Sequence, residues 1–110
     1  MGKTITIEDN NSGIKYTLAF TRDSVKRLEQ TGFIADDILK KPLVMFPLLF
    51  NGAFLANHKS VKSDVTDNLF KRISNKEELF EKLVDMYTEV YESMFDDTVE
   101  EGNVTWGASE

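Results

Sequence analysis

The sequence predicts an α+β fold: an N-terminal antiparallel β-hairpin followed by a bundle of about four to five helices, the last one long and amphipathic. Three observations predict it. Apolar residues alternate with polar ones in two short runs near the start, "KTITIE" and "IKYTLAF". The period then changes to three and four residues for most of the chain. The final periodic stretch, from about Asn75 to Phe95, is apolar at ten of the seventeen positions from Leu79 onward.

The strands come first. Ile5 and Ile7 share one side of the first run; Ile14, Tyr16, Leu18 and Phe20 share one side of the second. Both patterns fit half-buried strands. The intervening "DNNSG" has residues that tolerate positive φ, so the two should close as a hairpin. Thr21 is a natural N-cap for a helix over "RDSVKRLEQT", with Val25 and Leu28 inward and Gly32 stopping it in a left-handed conformation before Phe33. "IADDILKK" predicts a short helix that brings Ile34, Ile38 and Leu39 to the core before Pro42 ends it.

"PLVMFPLLFNGAFLANHK" is the most hydrophobic segment and predicts the central core helix, from about Leu43 or Phe46 to Asn57. Phe46, Phe50 and Phe54 form an aromatic edge at four-residue spacing, and the Gly52-Ala53 step would admit a close backbone approach. "SDVTDNLFKRI" predicts a helix capped by Ser63 with Val65, Leu69, Phe70 and Ile73 inward. "SNKE" supplies a capping box, Ser74 with Glu77, for the last helix. The apolar stripe of that helix is wider than a surface helix needs. Either both of its flanks are buried within the monomer or one flank meets another chain.

At 110 residues the chain is one domain, read as residues 1–97 with an acidic tail over 98–110. It has no cysteine, hence no disulfide and no thiolate nucleophile. "MGKTITIEDN" lacks the apolar stretch of a signal peptide, and no run approaches the ~18 apolar residues of a membrane span. The net charge of −6 is uneven. Residues 1–62 carry nine Lys/Arg against six Asp/Glu, and residues 63–110 carry four against thirteen. Such an acidic half repels phosphate backbones and argues against nucleic acid as a direct partner.

No pattern of catalytic, metal-ligating or cofactor-binding residues stands out. His58 is the sole histidine and reads as a surface residue at a helix C-terminus, where the dipole favours a cation. The six glycines are scattered and form no phosphate-binding loop. The adjacent acids Asp36-Asp37, Asp96-Asp97 and Glu100-Glu101 do not converge on one face. The reading is therefore non-enzymatic, without metal or cofactor, and what remains is a binding or assembly role.

Four stretches taken in order, "YTLAFTRDSVKRLEQTGF", "KPLVMFPLLFNGAFLANHK", "EELFEKLVDMYTEVYESMF" and "GNVTW", carry a resemblance that runs from about Lys3 to Trp106. The chain resembles the small tail assembly chaperones of bacteriophages and prophages from Gram-positive hosts. The resemblance implies a protein that coats the long helical tape-measure protein in the host cytoplasm and presents it to tail-tube subunits. It also implies self-association, absence from the mature virion, and in many phages a frameshifted longer product.

On this reading Tyr87, Tyr91, Met94 and Phe95 are candidates for a chain–chain or tape-measure contact, because Met and Tyr adapt to repeated similar surfaces; core burial is the alternative for each. Trp106, the only tryptophan, sits in the acidic tail as a candidate anchor, docking either on its own domain or on a neighbouring copy. The competing function is an acidic phage accessory or inhibitor protein that binds a host protein by mimicking DNA. That requires acids such as Asp85, Glu89 and Glu92 to be displayed like phosphates.

Overall fold

A computed structural model describes residues 3–95 and 107. Strands β1 (Ile5–Asp9) and β2 (Ile14–Leu18) form an antiparallel pair, followed by helices α1 (Arg22–Gln30), α2 (Pro42–Gly52), α3 (Ser63–Arg72) and α4 (Lys76–Ser93). A single 3-10 turn, Ala35–Asp37, lies between α1 and α2. The α+β class, the N-terminal hairpin and the long last helix are as the sequence predicts.

The hairpin pairs Ile5 with Leu18 and Ile7 with Tyr16, so the apolar alternation of both strands falls on one face. Its turn is closed by the Gly13 N–H donating to the Asp9 carbonyl at 2.7 Å, with Gly13 at φ 76° and the Asn11 N–H held by the Asp9 carboxylate. Tyr16, Leu18 and Phe20 are buried, whereas Ile14 at the turn end is exposed. The free edge of β2 is covered by the chain that follows α2. Thr17 N–H donates to Nε2 of His58 at 2.9 Å, the Asn57 amide donates to the Thr17 carbonyl, and Ala19 N–H donates to the Ala53 carbonyl. His58 is thus not the surface residue at a helix C-terminus that the sequence predicts: it is half-buried, and α2 ends at Gly52, well before it. It is an acceptor that satisfies a strand N–H which would otherwise lack a partner.

Thr21 caps α1 through reciprocal bonds with Ser24, and Gly32 at φ 110° ends it. The predicted helix over "IADDILKK" is reduced to the 3-10 turn. Ile38 is half-buried, but Ile34 and Leu39 face solvent. The chain turns here because Pro42 does not end a helix; it begins α2 at the first helical position, where its missing N–H is not needed.

Helix α2 is the centre of the molecule, with Met45, Leu49, Phe50 and Gly52 buried. Two corrections apply. Its first turn projects outward, leaving Leu43 91% exposed. It also stops at Gly52 rather than Asn57, because Phe54 and Leu55 N–H groups bond three residues back, to Asn51 and Gly52. That tightening aims the Ala53 carbonyl at β2. The aromatic edge is confirmed. Phe46 meets Phe70 and Phe80 edge-on at 4.9 Å each, Phe50 meets Phe70 and Phe54, and Phe54 meets Tyr16 at 5.5 Å.

In α3, Ser63 lies inside the helix rather than at its cap, and the inward row is Thr66 and Leu69, with Phe70 and Ile73 half-buried; Val65 is exposed. Thr66 is tolerated in the core because its hydroxyl donates to the Ser63 carbonyl. The capping box predicted for α4 does not form, and no side chain caps its first turn. Asn75, in the left-handed conformation at φ 57°, precedes the helix and its amide bonds Glu78 rather than Ser74 pairing with Glu77. Asn tolerates that conformation where Ser does so less readily.

Two predictions follow from the packing. A methyl added at Gly52 would lie 2.8 Å from both terminal carbons of Leu28, a buried side chain of α1. Gly52→Ala therefore lowers the free energy of unfolding by about 1–2 kcal/mol in urea titrations, overpacking outweighing the ~1 kcal/mol gained in helix propensity. Leu28→Ala should cost less on that background than alone. Separately, Arg72 grips Asp9 with two parallel hydrogen bonds of 3.1 and 3.0 Å, tying α3 to the hairpin turn. The Arg72 hydrogen bond, then the Asn11 N–H, pull the Asp9 carboxyl down to about 2. A pKa lowered in the folded state stabilises above its unfolded value of ~3.9 and is lost as pH falls through the folded value. Arg72→Met should flatten the fall in Tm between about pH 4 and pH 2 relative to the unaltered chain.

Candidate protein-binding groove

The sequence of α4 sets three rows of side chains around its axis. Leu79, Leu83, Met86 and Tyr87 are buried; Phe80, Val84 and Val90 are half-buried; Tyr91, Met94 and Phe95 at the C-terminal end are exposed. Tyr91 and Phe95 stand edge-to-face at 5.7 Å, one helical turn apart. Across from them, Gly32 redirects the chain after α1, so that Phe33, Ile34, Ala35 and Ile38 form an opposing wall. Between the walls lies an open groove of about 570 Å³, floored by Leu49 and Tyr87 and bordered by Val84, Thr88 and Tyr91. The charged residues lining it are Glu29 and Asp36, both acidic.

Tyr87 is the pivot of this arrangement. It is 6% exposed, its ring packs edge-on against Phe33 at 5.2 Å and Phe20 at 6.0 Å, and its hydroxyl donates to Glu29 Oε2 at 2.6 Å. Burial first, then the Glu29 carboxylate, push the phenol above its ordinary value, so Tyr87 is a fixed proton donor. The bond joins α1 to α4 directly below the groove.

The profile of a domain of unknown function, DUF5055, matches residues 1–109 of this sequence. The chain belongs to the DUF5055 family. No curated protein and no solved structure matches it.

Within this DUF5055 fold the sequence-predicted contact residues separate. Tyr87 lies in the core and shows only its edge to the groove, while Tyr91 (52% exposed), Met94 and Phe95 (67%) form a continuous apolar end to α4. Trp106, the candidate anchor, lies outside the described residues. Sequence reasoning missed the opposing wall, above all Ile34, half of whose surface faces solvent. The only local signal was Asp36-Asp37, two acids that a buried turn would not accept. Among the described residues, no group of three or more His, Cys, Asp or Glu is placed to hold a metal ion.

The Glu29–Tyr87 bond should be measurable. Tyr87→Phe and Glu29→Gln each lower the unfolding free energy by about 1–2 kcal/mol. The double variant should lose less than the two single losses combined, as a double-mutant cycle in urea would report.

Proposed function

We propose that this chain is a non-enzymatic tail assembly chaperone of a bacteriophage or prophage, binding the tape-measure protein and supporting tail-tube polymerisation. The observation that carries the reading is the apolar groove continued by Tyr91, Met94 and Phe95 on a protein of net charge −6 whose acids concentrate in its C-terminal half. A protein that coats a long helical chain needs one apolar face to bind it and a charged face to keep the complex dissolved. The resemblance carried by the four sequence stretches supplies the identity of the partner. The protein would act in the host cytoplasm, self-associate on its client, and be absent from the mature virion.

The DNA-mimic alternative is less favoured. Lys3 sits 2.5 Å from Asp85 and 3.5 Å from Glu89, so two of the three acids that such a surface would display are neutralised by a lysine from the N-terminal segment. No helix among the described residues is long and apolar enough to cross a membrane.

Co-expression tests the proposal. The full chain should co-purify with helical fragments of a phage tape-measure protein. Tyr91→Asp with Phe95→Asp should reduce recovery by about tenfold, equivalent to ~1.4 kcal/mol, without lowering the unfolding midpoint, because both side chains are exposed. Failure of the unaltered chain to retain any fragment would sink the reading.

A further inference from the structure

The groove restricts what can fill it. Along α4 it runs from Val84 to Tyr91, about 10 Å of helix axis or two turns. Its floor and walls are apolar, from Phe33, Leu49, Val84 and the ring of Tyr87. A helix laid between α4 and the 3-10 turn at the usual separation of about 8–10 Å would place two turns of its own apolar stripe against that floor. The charge on the rim has one sign. Glu29 and Asp36 line the groove, and no Lys or Arg is among the lining residues. The outer row of α4 continues the pattern, with exposed Glu81 one turn before Val84 and exposed Glu92 one turn after Thr88. Carboxylates around a cleft with apolar, low-dielectric walls focus a negative potential into it.

We infer that the occupant of the groove is an amphipathic helix bearing lysine or arginine on the flanks of its apolar stripe. This rests on the proposal that the face binds a helical client and adds the chemistry by which a client segment is chosen. The apolar stripe supplies the burial, and the basic flanks supply register and discrimination against acidic helices, for which like charges meet. Charge also argues against the chain's own tail as occupant, since residues 96–110 carry five carboxylates and no Lys or Arg.

The test uses the full chain and two labelled synthetic helical peptides with the same leucine stripe, one flanked by lysine and one by glutamate, titrated by fluorescence anisotropy. The lysine peptide should bind at least about tenfold more tightly, and its advantage should shrink as salt is raised. Glu29→Gln with Asp36→Asn, its fold verified by circular dichroism, should narrow the preference, whereas Ile34→Ser with Tyr91→Ser should weaken both peptides. Equal binding of the two peptides, or binding of neither, overturns the inference. So does a preference that vanishes when Asp96, Asp97, Glu100 and Glu101 are made amides, which would assign the selection to the tail. Sedimentation showing self-association that Ile34→Ser with Tyr91→Ser abolishes would place a second copy in the groove and also overturn it. The two proposals fail separately. Tape-measure fragments that co-purify while the peptides show no preference remove only the charge rule; a lysine peptide that binds while no fragment is retained removes only the chaperone reading.

Discussion

Burial of α2 from Met45 onward is the constraint on which the other elements depend. Phe46 and Phe50 of α2, with Phe54 in the turn just after it, connect edge-to-face to Phe80 of α4, Phe70 of α3 and Tyr16 of β2, so three separate elements are positioned by one row of rings. Each such pair contributes about 0.5–1.5 kcal/mol beyond the area it buries, and its geometry is directional. On the opposite side, Gly52 brings the α2 backbone against Leu28 and so sets the approach of α1. A two-stranded hairpin is marginal alone. Here its inner face rests on Phe54 and its outer edge is hydrogen-bonded to the turn that Gly52 initiates.

The groove is a by-product of that arrangement. Along α4 the buried row of Leu79, Leu83, Met86 and Tyr87 ends before the last turn, where Tyr91, Met94 and Phe95 are exposed. Tyr87 marks the boundary: one turn earlier Leu83 is fully buried, and one turn later Tyr91 is half in solvent. The opposing wall exists because Gly32 and the 3-10 turn divert the chain between α1 and α2 rather than letting α1 continue. Apolar surface left open in this way, with acids around it, is a surface suited to a partner rather than to water.

Much of the fold was legible in the sequence because its signals are local. Alternation with "DNNSG" defined the hairpin, Thr21 and Gly32 bracketed α1, and the apolar excess of the last periodic stretch identified α4. What escaped was set by distance. Thr66 reads as a surface residue until its hydroxyl is seen bonded to the Ser63 carbonyl, and Val65 as a core residue until the phase that follows is known. His58 finds its donor 41 residues away, on a strand whose need for an acceptor no local spacing expresses. Ile34 and Leu39 were assigned to the core on hydrophobicity alone, but Pro42 starts a helix there and turns both outward. The groove was half legible for the same reason: one wall is a helix with its own period, and the other is a bend that only tertiary structure defines.

The contacts that close the molecule join its two ends. Lys3 reaches Asp85, Arg22 reaches the Ser93 carbonyl and hydroxyl, and Glu29 holds Tyr87. Each spans more than half of the chain, so these closing contacts form only once α4 has been synthesised. On the ribosome the hairpin and α1 would emerge early and wait, their apolar faces unpaired, until the last helix arrives. Folding is then timed by the synthesis of α4, the element on which all three of these contacts converge.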